Sequence, residues 1–135
     1  MLKIDIKKMP KTLYIDSIDN HSNEENCISI HPSHLNFLDA FDKGSFDIIM
    51  IQNTPAEFLK AKGLFYVNRC LKKGGICEII VDQPIFVMQD LDAGEIEANC
   101  KLAGFEDINI ESYSSNEIVN GVEKKIQTLK LSMEK

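Results

Sequence analysis

Residues 46–51, Phe46-Asp47-Ile48-Ile49-Met50-Ile51, and residues 76–82, Ile76-Cys77-Glu78-Ile79-Ile80-Val81-Asp82, are two short, β-branched and almost continuous apolar runs. Such runs lack the polar alternation of a strand with one wet face and suit a parallel sheet covered on both sides. The stretch between them predicts a helix. Thr54 can act as N-cap, Pro55 fits the first helical position, and Glu57 can reach back to close a capping box. Ala61, Leu64, Val67 and Leu71 then recur at helical spacing and give one apolar stripe. Lys72 and Lys73 complement the negative end of the helix dipole, and Gly74 can take the left-handed conformation that stops the helix. Gly63 inside it costs about 1 kcal/mol against Ala, which predicts close packing or a local irregularity at that point. Strand, right-handed crossover helix and parallel strand therefore form the centre of the sheet.

Upstream, residues 11–16 form a first strand, residues 17–26 a polar and acidic loop, and Cys27-Ile28-Ser29-Ile30 a second strand. Pro32-Ser33 opens a helix with Leu35, Leu38, Ala40 and Phe41 on its apolar side. Downstream, residues 83–88 leave the sheet as an apolar loop. Asp92 with Glu95 three residues on starts a helix whose buried side is Ile96, Cys100 and Ala103; it ends at Gly104, with Phe105 as hydrophobic clamp. Residues 107–113 read as a strand with Ile108 and Ile110 on one face, 114–121 as a polar turn region, and 126–131 as a cleanly alternating last strand. The expected architecture is one three-layer α/β domain: a mostly parallel sheet of about six strands, helices on both faces, and an antiparallel last strand at or near the edge.

The chain has 135 residues and 44% hydrophobic against 27% charged side chains, enough for one domain with a real core. No apolar run approaches membrane-spanning length, and residues 1–8 alternate charge with apolar side chains rather than forming a signal peptide. Four cysteines, at 27, 70, 77 and 100, never stand as C-x-x-C. That spacing argues against a zinc site and a disulfide framework, and implies reduced structural thiols in the cytosol. The net charge of −6 is unevenly shared: residues 1–43 carry −2, residues 44–75 carry +3 and residues 76–135 carry −7. Nucleic acid is excluded as an expected partner by this balance. The basic segment consists of Lys60, Lys62, Arg69, Lys72 and Lys73, read either as a solvated helix face or as a docking surface for an acidic partner.

Other constellations carry less. His31-Pro32-Ser33-His34 places two histidines three apart around a proline and reads as a capped helix start rather than a metal site. Asp82 ends a central strand, where open α/β sheets bind ligands, but has no companion base in sequence and reads as a loop-forming aspartate. Neither a nucleophile elbow nor a P-loop occurs.

Phe46-Asp47-Ile48-Ile49, then Leu71-Lys72-Lys73-Gly74-Gly75 before a strand, then Leu102-Ala103-Gly104-Phe105 before another, resembles the C-terminal half of a class I S-adenosylmethionine methyltransferase over residues 45–132. Such an enzyme cradles its cofactor on a glycine-rich turn after the first strand and holds the ribose with an acid ending the second. Here the first glycine is Gly44, and Tyr14-Ile15-Asp16-Ser17-Ile18-Asp19 cannot make that turn. A shortened methyltransferase-like domain without the glycine loop is similar to the N-terminal domain of the anamorsin family, electron carriers of cytosolic iron–sulfur cluster assembly. Ser45-Phe46-Asp47-Ile48-Ile49, Asn68-Arg69-Cys70-Leu71-Lys72-Lys73-Gly74-Gly75 and the closing Leu129-Lys130-Leu131-Ser132-Met133-Glu134-Lys135 carry the resemblance. It implies a non-enzymatic cytoplasmic domain, without cofactor or metal of its own, that precedes a cysteine-rich cluster-binding region. The implied partners are a diflavin reductase and a monothiol glutaredoxin. A small or degenerate S-adenosylmethionine-dependent methyltransferase is the alternative.

Overall fold

The computed structural model describes residues 11–18, 27–54, 58–84 and 93–135. Six strands form one sheet: β1 (Thr12–Asp16), β2 (Cys27–Ile30), β3 (Phe46–Gln52), β4 (Leu71–Pro84), β5 (Glu106–Val119) and β6 (Val122–Glu134). A 3-10 helix (Pro32–Ala40) joins β2 to β3, α1 (Ala61–Cys70) joins β3 to β4, and α2 (Ala93–Leu102) joins β4 to β5. The strand order is β2-β1-β3-β4-β6-β5, with β6 antiparallel to both neighbours and the β1–β2, β1–β3 and β3–β4 pairs parallel. The antiparallel last strand expected at or near the edge lies one place in from it, with β5 forming the edge.

Alternation along the strands sends Leu13, Ile15, Ile49, Ile51, Cys77, Ile79, Leu129 and Leu131 into one buried cluster with Leu35, Leu38, Leu64, Val67, Ile96 and Cys100. All three described helices therefore cover the same face of the sheet. Tyr14, Ile48, Met50 and Ile80 lie on the other face, half-buried, with Ile76 exposed, and no described helix packs there. The second helical layer expected from the continuous apolar runs is not found among the described residues.

Helix α1 starts later than its local signals suggest. Its N-cap is Lys60, whereas the Thr54 hydroxyl donates to the Gln52 carbonyl at 2.9 Å. Pro55 and Glu57, like Asp92, lie outside the described residues. The helix also ends earlier, at Cys70, so Lys72 and Lys73 belong to β4. Gly63 does mark close packing: a Cβ there would stand 3.2 Å from Leu35 Cδ1 and from the Phe58 carbonyl oxygen. The Cys70 thiol, 3.2 Å from the Leu38 carbonyl, ties α1 to the 3-10 helix.

Helix α2 follows its sequence pattern closely. Ile96, Cys100 and Ala103 are buried. Gly104, at φ 106°, donates its N–H to the Lys101 carbonyl, and Phe105 donates to that of Cys100, the paired bonds of a Schellman stop with Phe105 folded into the core. Residues 114–119, expected as a turn, continue β5, and the reversal is Asn120-Gly121, both left-handed at φ 53° and 76°. That is the geometry of a two-residue hairpin.

Candidate functional site

The chain leaves β1 toward β2 and returns on the other side of β1 as β3, so the topological switch point lies between β1 and β3. Open α/β sheets bind ligands outside the carboxyl ends of the strands at such a point. Here that mouth is built from the residues ending β1 and following β3. Asp16 is only 4% exposed, and its Oδ1 accepts from the Ile18 N–H at 2.8 Å and from Asn53 Nδ2 at 3.0 Å. Ser17 Oγ donates to the Asn53 carbonyl at 2.6 Å. Asn53 reaches this position through a left-handed backbone, φ 47°. Buried Thr54 completes the closure, lying 3.4 Å from the Ile15 carbonyl oxygen as well as bonding Gln52. The carboxylate serves as an acceptor that ties the end of β1 to the residue after β3.

No protein-family model matches the sequence, and no curated protein is significantly similar to it. Solved structures similar to this chain include the YcgJ protein of Bacillus subtilis, with a TM-score of 0.69 and 10% identity over 93% of this chain and 92% of that one. An S-adenosylmethionine-dependent methyltransferase from Archaeoglobus fulgidus gives 0.62 and 12% over 96% and 87%. A Thermotoga maritima methyltransferase, described as a possible histamine N-methyltransferase, gives 0.59 and 12% over 94% and 83%. The fold is methyltransferase-like.

A methyltransferase-like fold implies S-adenosylmethionine, and the described residues do not fit it. At the β1 exit, where glycines would let the backbone approach the ligand, the side chains of Asp16 and Ser17 are bonded into the closure. β2 ends at Ile30 and is followed by His31, not by an acid placed to hold a ribose. His31 is already used: its Nδ1 accepts from the Ser33 N–H at 3.1 Å and caps the 3-10 helix. His31 and His34 meet edge to face at 6.1 Å, and no metal-ligating group of three is found among the described residues. Asp82 falls within β4, opposite Thr128, rather than at its end.

Cys70, Cys77 and Cys100 are buried thiols. Burial pushes the Cys77 thiol well up and that of Cys100 to about 11, so neither is a thiolate at neutral pH. No described helix is long and apolar enough to cross a membrane.

The five basic residues do not share one helix face. Lys60 precedes α1 and pairs with Glu95 of α2 at 3.1 Å, both half-exposed. Lys62 is exposed on the first turn, and with Lys60 it borders a shallow cavity of about 270 Å³ against Leu35, Phe58 and Tyr66. Arg69 is structural, its guanidinium donating to the Phe41 carbonyl at 2.8 Å. Lys72 and Lys73 stand at the amino edge of the sheet beside Lys43 and Lys135, around a cavity of about 640 Å³. Sequence reading missed Lys43, which precedes β3, and Lys135, which joins the group because β6 returns antiparallel to the edge where β3 and β4 begin.

Lys72 Nζ lies 3.3 Å from Asp47 Oδ1, while Asp47 Oδ2 accepts the Lys11 N–H at 2.8 Å. The Lys11 hydrogen bond lowers the Asp47 pKa; partial burial opposes it and Lys72 adds to the lowering. A depressed carboxylate pKa contributes stability that is complete above the ordinary aspartate range and lost as pH falls through the folded value. Denaturant melts taken at decreasing pH through that range should therefore show a smaller acid loss for Asp47→Asn than for the wild type. Equal losses would remove Asp47 from the acid limb.

Proposed function

We propose that this chain is a non-catalytic protein-interaction domain on a methyltransferase-like fold, of the kind that anamorsin-like electron carriers of cytoplasmic iron–sulfur assembly place ahead of their cluster-binding region. Docking is to a diflavin reductase, with a monothiol glutaredoxin as a further partner. One observation supports the non-catalytic reading above others: the buried Asp16 carboxylate at the β1/β3 mouth is bonded to Asn53. The resemblance in residues 45–49, 68–75 and 129–135 supports the family. Titration calorimetry with S-adenosylmethionine tests it. No saturable heat is expected, and a low-micromolar dissociation constant, about 8 kcal/mol of binding, would overturn it.

The second reading, a small or degenerate S-adenosylmethionine-dependent methyltransferase, is favoured by what the Archaeoglobus and Thermotoga proteins are called. At 12% identity those likenesses carry the fold alone. The same titration separates the two readings.

For the docking surface, the residues to reverse are Lys60 and Lys62, because Arg69 holds Phe41 and its loss would perturb the fold. Lys60→Glu/Lys62→Glu should leave the melting temperature nearly unchanged, since exposed pairs are worth ~1 kcal/mol or less. Association with the flavin-binding domain of a diflavin reductase should slow, and the wild-type rate should fall with salt. An unchanged, salt-insensitive rate would place the surface elsewhere.

A further inference from the structure

The amino edge of the sheet is dipolar. Across its cavity of about 640 Å³, the β3 and β4 side presents Lys43 and Lys73, and the β5 and β6 side presents Glu106 and Glu134. None of these four forms an ion pair within 4 Å of a described residue, whereas Lys72 is already paired with Asp47 and Lys135 donates to the Asn68 carbonyl at 2.7 Å. Two like-charge conflicts also lie at this edge, one on the β5 and β6 side and one between Lys43 and Lys135 at the end of β6. Glu106 and Glu134 are direct cross-strand partners in the β5–β6 ladder, an arrangement that destabilises a sheet. Lys43 bears on Lys135, whose pKa burial lowers and Lys43 lowers further.

Apolar surface flanks the charges. Leu102 at the end of α2 is 77% exposed beside Gly104, which lines the cavity, and Ile76 of β4 is 48% exposed on the opposite face of the sheet. Leu71, Gly44 and Gly104 also line the cavity.

A positive half beside a negative half is self-complementary under a two-fold axis: each half meets its opposite on a second copy. We infer that the amino edge is a homodimer surface, in which Lys43 and Lys73 of one copy face Glu106 and Glu134 of the other, and each copy's Leu102 enters the other's cavity. Both like-charge conflicts are relieved in that arrangement, which is the reason to expect a second copy of this chain rather than a uniformly acidic or basic partner. The carboxyl edge lies roughly 20 Å away, the length of β3 at about 3.3 Å per residue, so the dimer leaves the Asp16 closure untouched.

Sedimentation equilibrium from micromolar to millimolar concentration tests this on the 135-residue chain. The wild type should approach the mass of two chains at low salt, with its dissociation constant rising about tenfold as salt shortens the Debye length from about 30 Å to about 3 Å. Lys43→Glu/Lys73→Glu and Glu106→Lys/Glu134→Lys should each stay at the mass of one chain with unchanged circular dichroism, and an equimolar mixture of the two should recover the mass of two. A wild type that stays monomeric at every concentration overturns the inference. So does self-association of either double variant at wild-type strength, or a mixture that stays monomeric.

Discussion

Replacing Gly75 with alanine should destabilise the domain by about 3 kcal/mol, near the upper end of what forcing extra atoms into a packed site does. The loss should lower the melting temperature by roughly 10 °C for a chain of this size. A Cβ at Gly75 would stand 2.8 Å from each of three atoms: the Asp47 carbonyl oxygen, the Lys72 carbonyl oxygen and Leu71 Cδ1. Two of the three are backbone and cannot swing aside. The crowding arises where β4 bulges: Phe46 pairs with Leu71, but Ile48 pairs with Ile76, so the residues between are pushed out of register. Gly75 also offers its carbonyl to the Lys135 N–H at 3.0 Å, which fastens the end of β6. The neighbouring Gly74 is the control. It has φ 83° but nothing within 4 Å, so Gly74→Ala should cost only about 1 kcal/mol of left-handed strain. Thermal melts in which the two variants fall together would show that space at Gly75 is not the constraint.

Phe46→Ala should be at least as damaging, by about 3–5 kcal/mol, the range for deleting a buried aromatic ring. Phe46 is fully buried at the amino end of β3, packs edge to face on Phe41 at 5.3 Å, and carries the Lys11 ammonium 5.3 Å from its ring centroid. It thus joins β3, the segment after the 3-10 helix and the entrance to β1. Phe46→Leu keeps most of the volume and should lose about 1.5 kcal/mol, largely the aromatic contact. Denaturant midpoints for the two variants check the order; an alanine variant no worse than leucine would mean that the cavity collapses on Phe41.

Sequence was most informative where one short segment decides its own structure. In α2 the apolar spacing, Gly104 and Phe105 all agree, and each takes the expected place. It was less informative where a segment's boundaries are set by the whole sheet. Thr54 stands where a helix start was expected, but α1 begins at Ala61 with Lys60 as its N-cap, and Pro55 and Glu57 lie outside the described residues. Continuous apolar runs in β3 and β4 suggested two covered faces; the described helices cover one, and on the other Ile48, Met50 and Ile80 are half-buried. Residues 114–119 read as a turn because polar side chains dominate, but a strand at the sheet edge need not be apolar, and Asn120-Gly121 was the sharper signal. For the site, the missing glycine turn was visible in the sequence. The Asp16–Asn53 closure was not, because it joins residues 37 apart through a backbone conformation no local pattern announces.

The place of β6 between β4 and β5 sets the order in which the molecule can assemble. Until residues 122–134 are in position, β5 has no hydrogen-bonded neighbour and β4 has a bare edge. Helix α2 would hold one end of an unattached strand. Such long-range closure raises contact order, which slows folding relative to a chain whose neighbours in space are neighbours in sequence. The half-built sheet would meanwhile expose an unpaired edge to other chains, so the window for misassociation lies before the sixth strand docks.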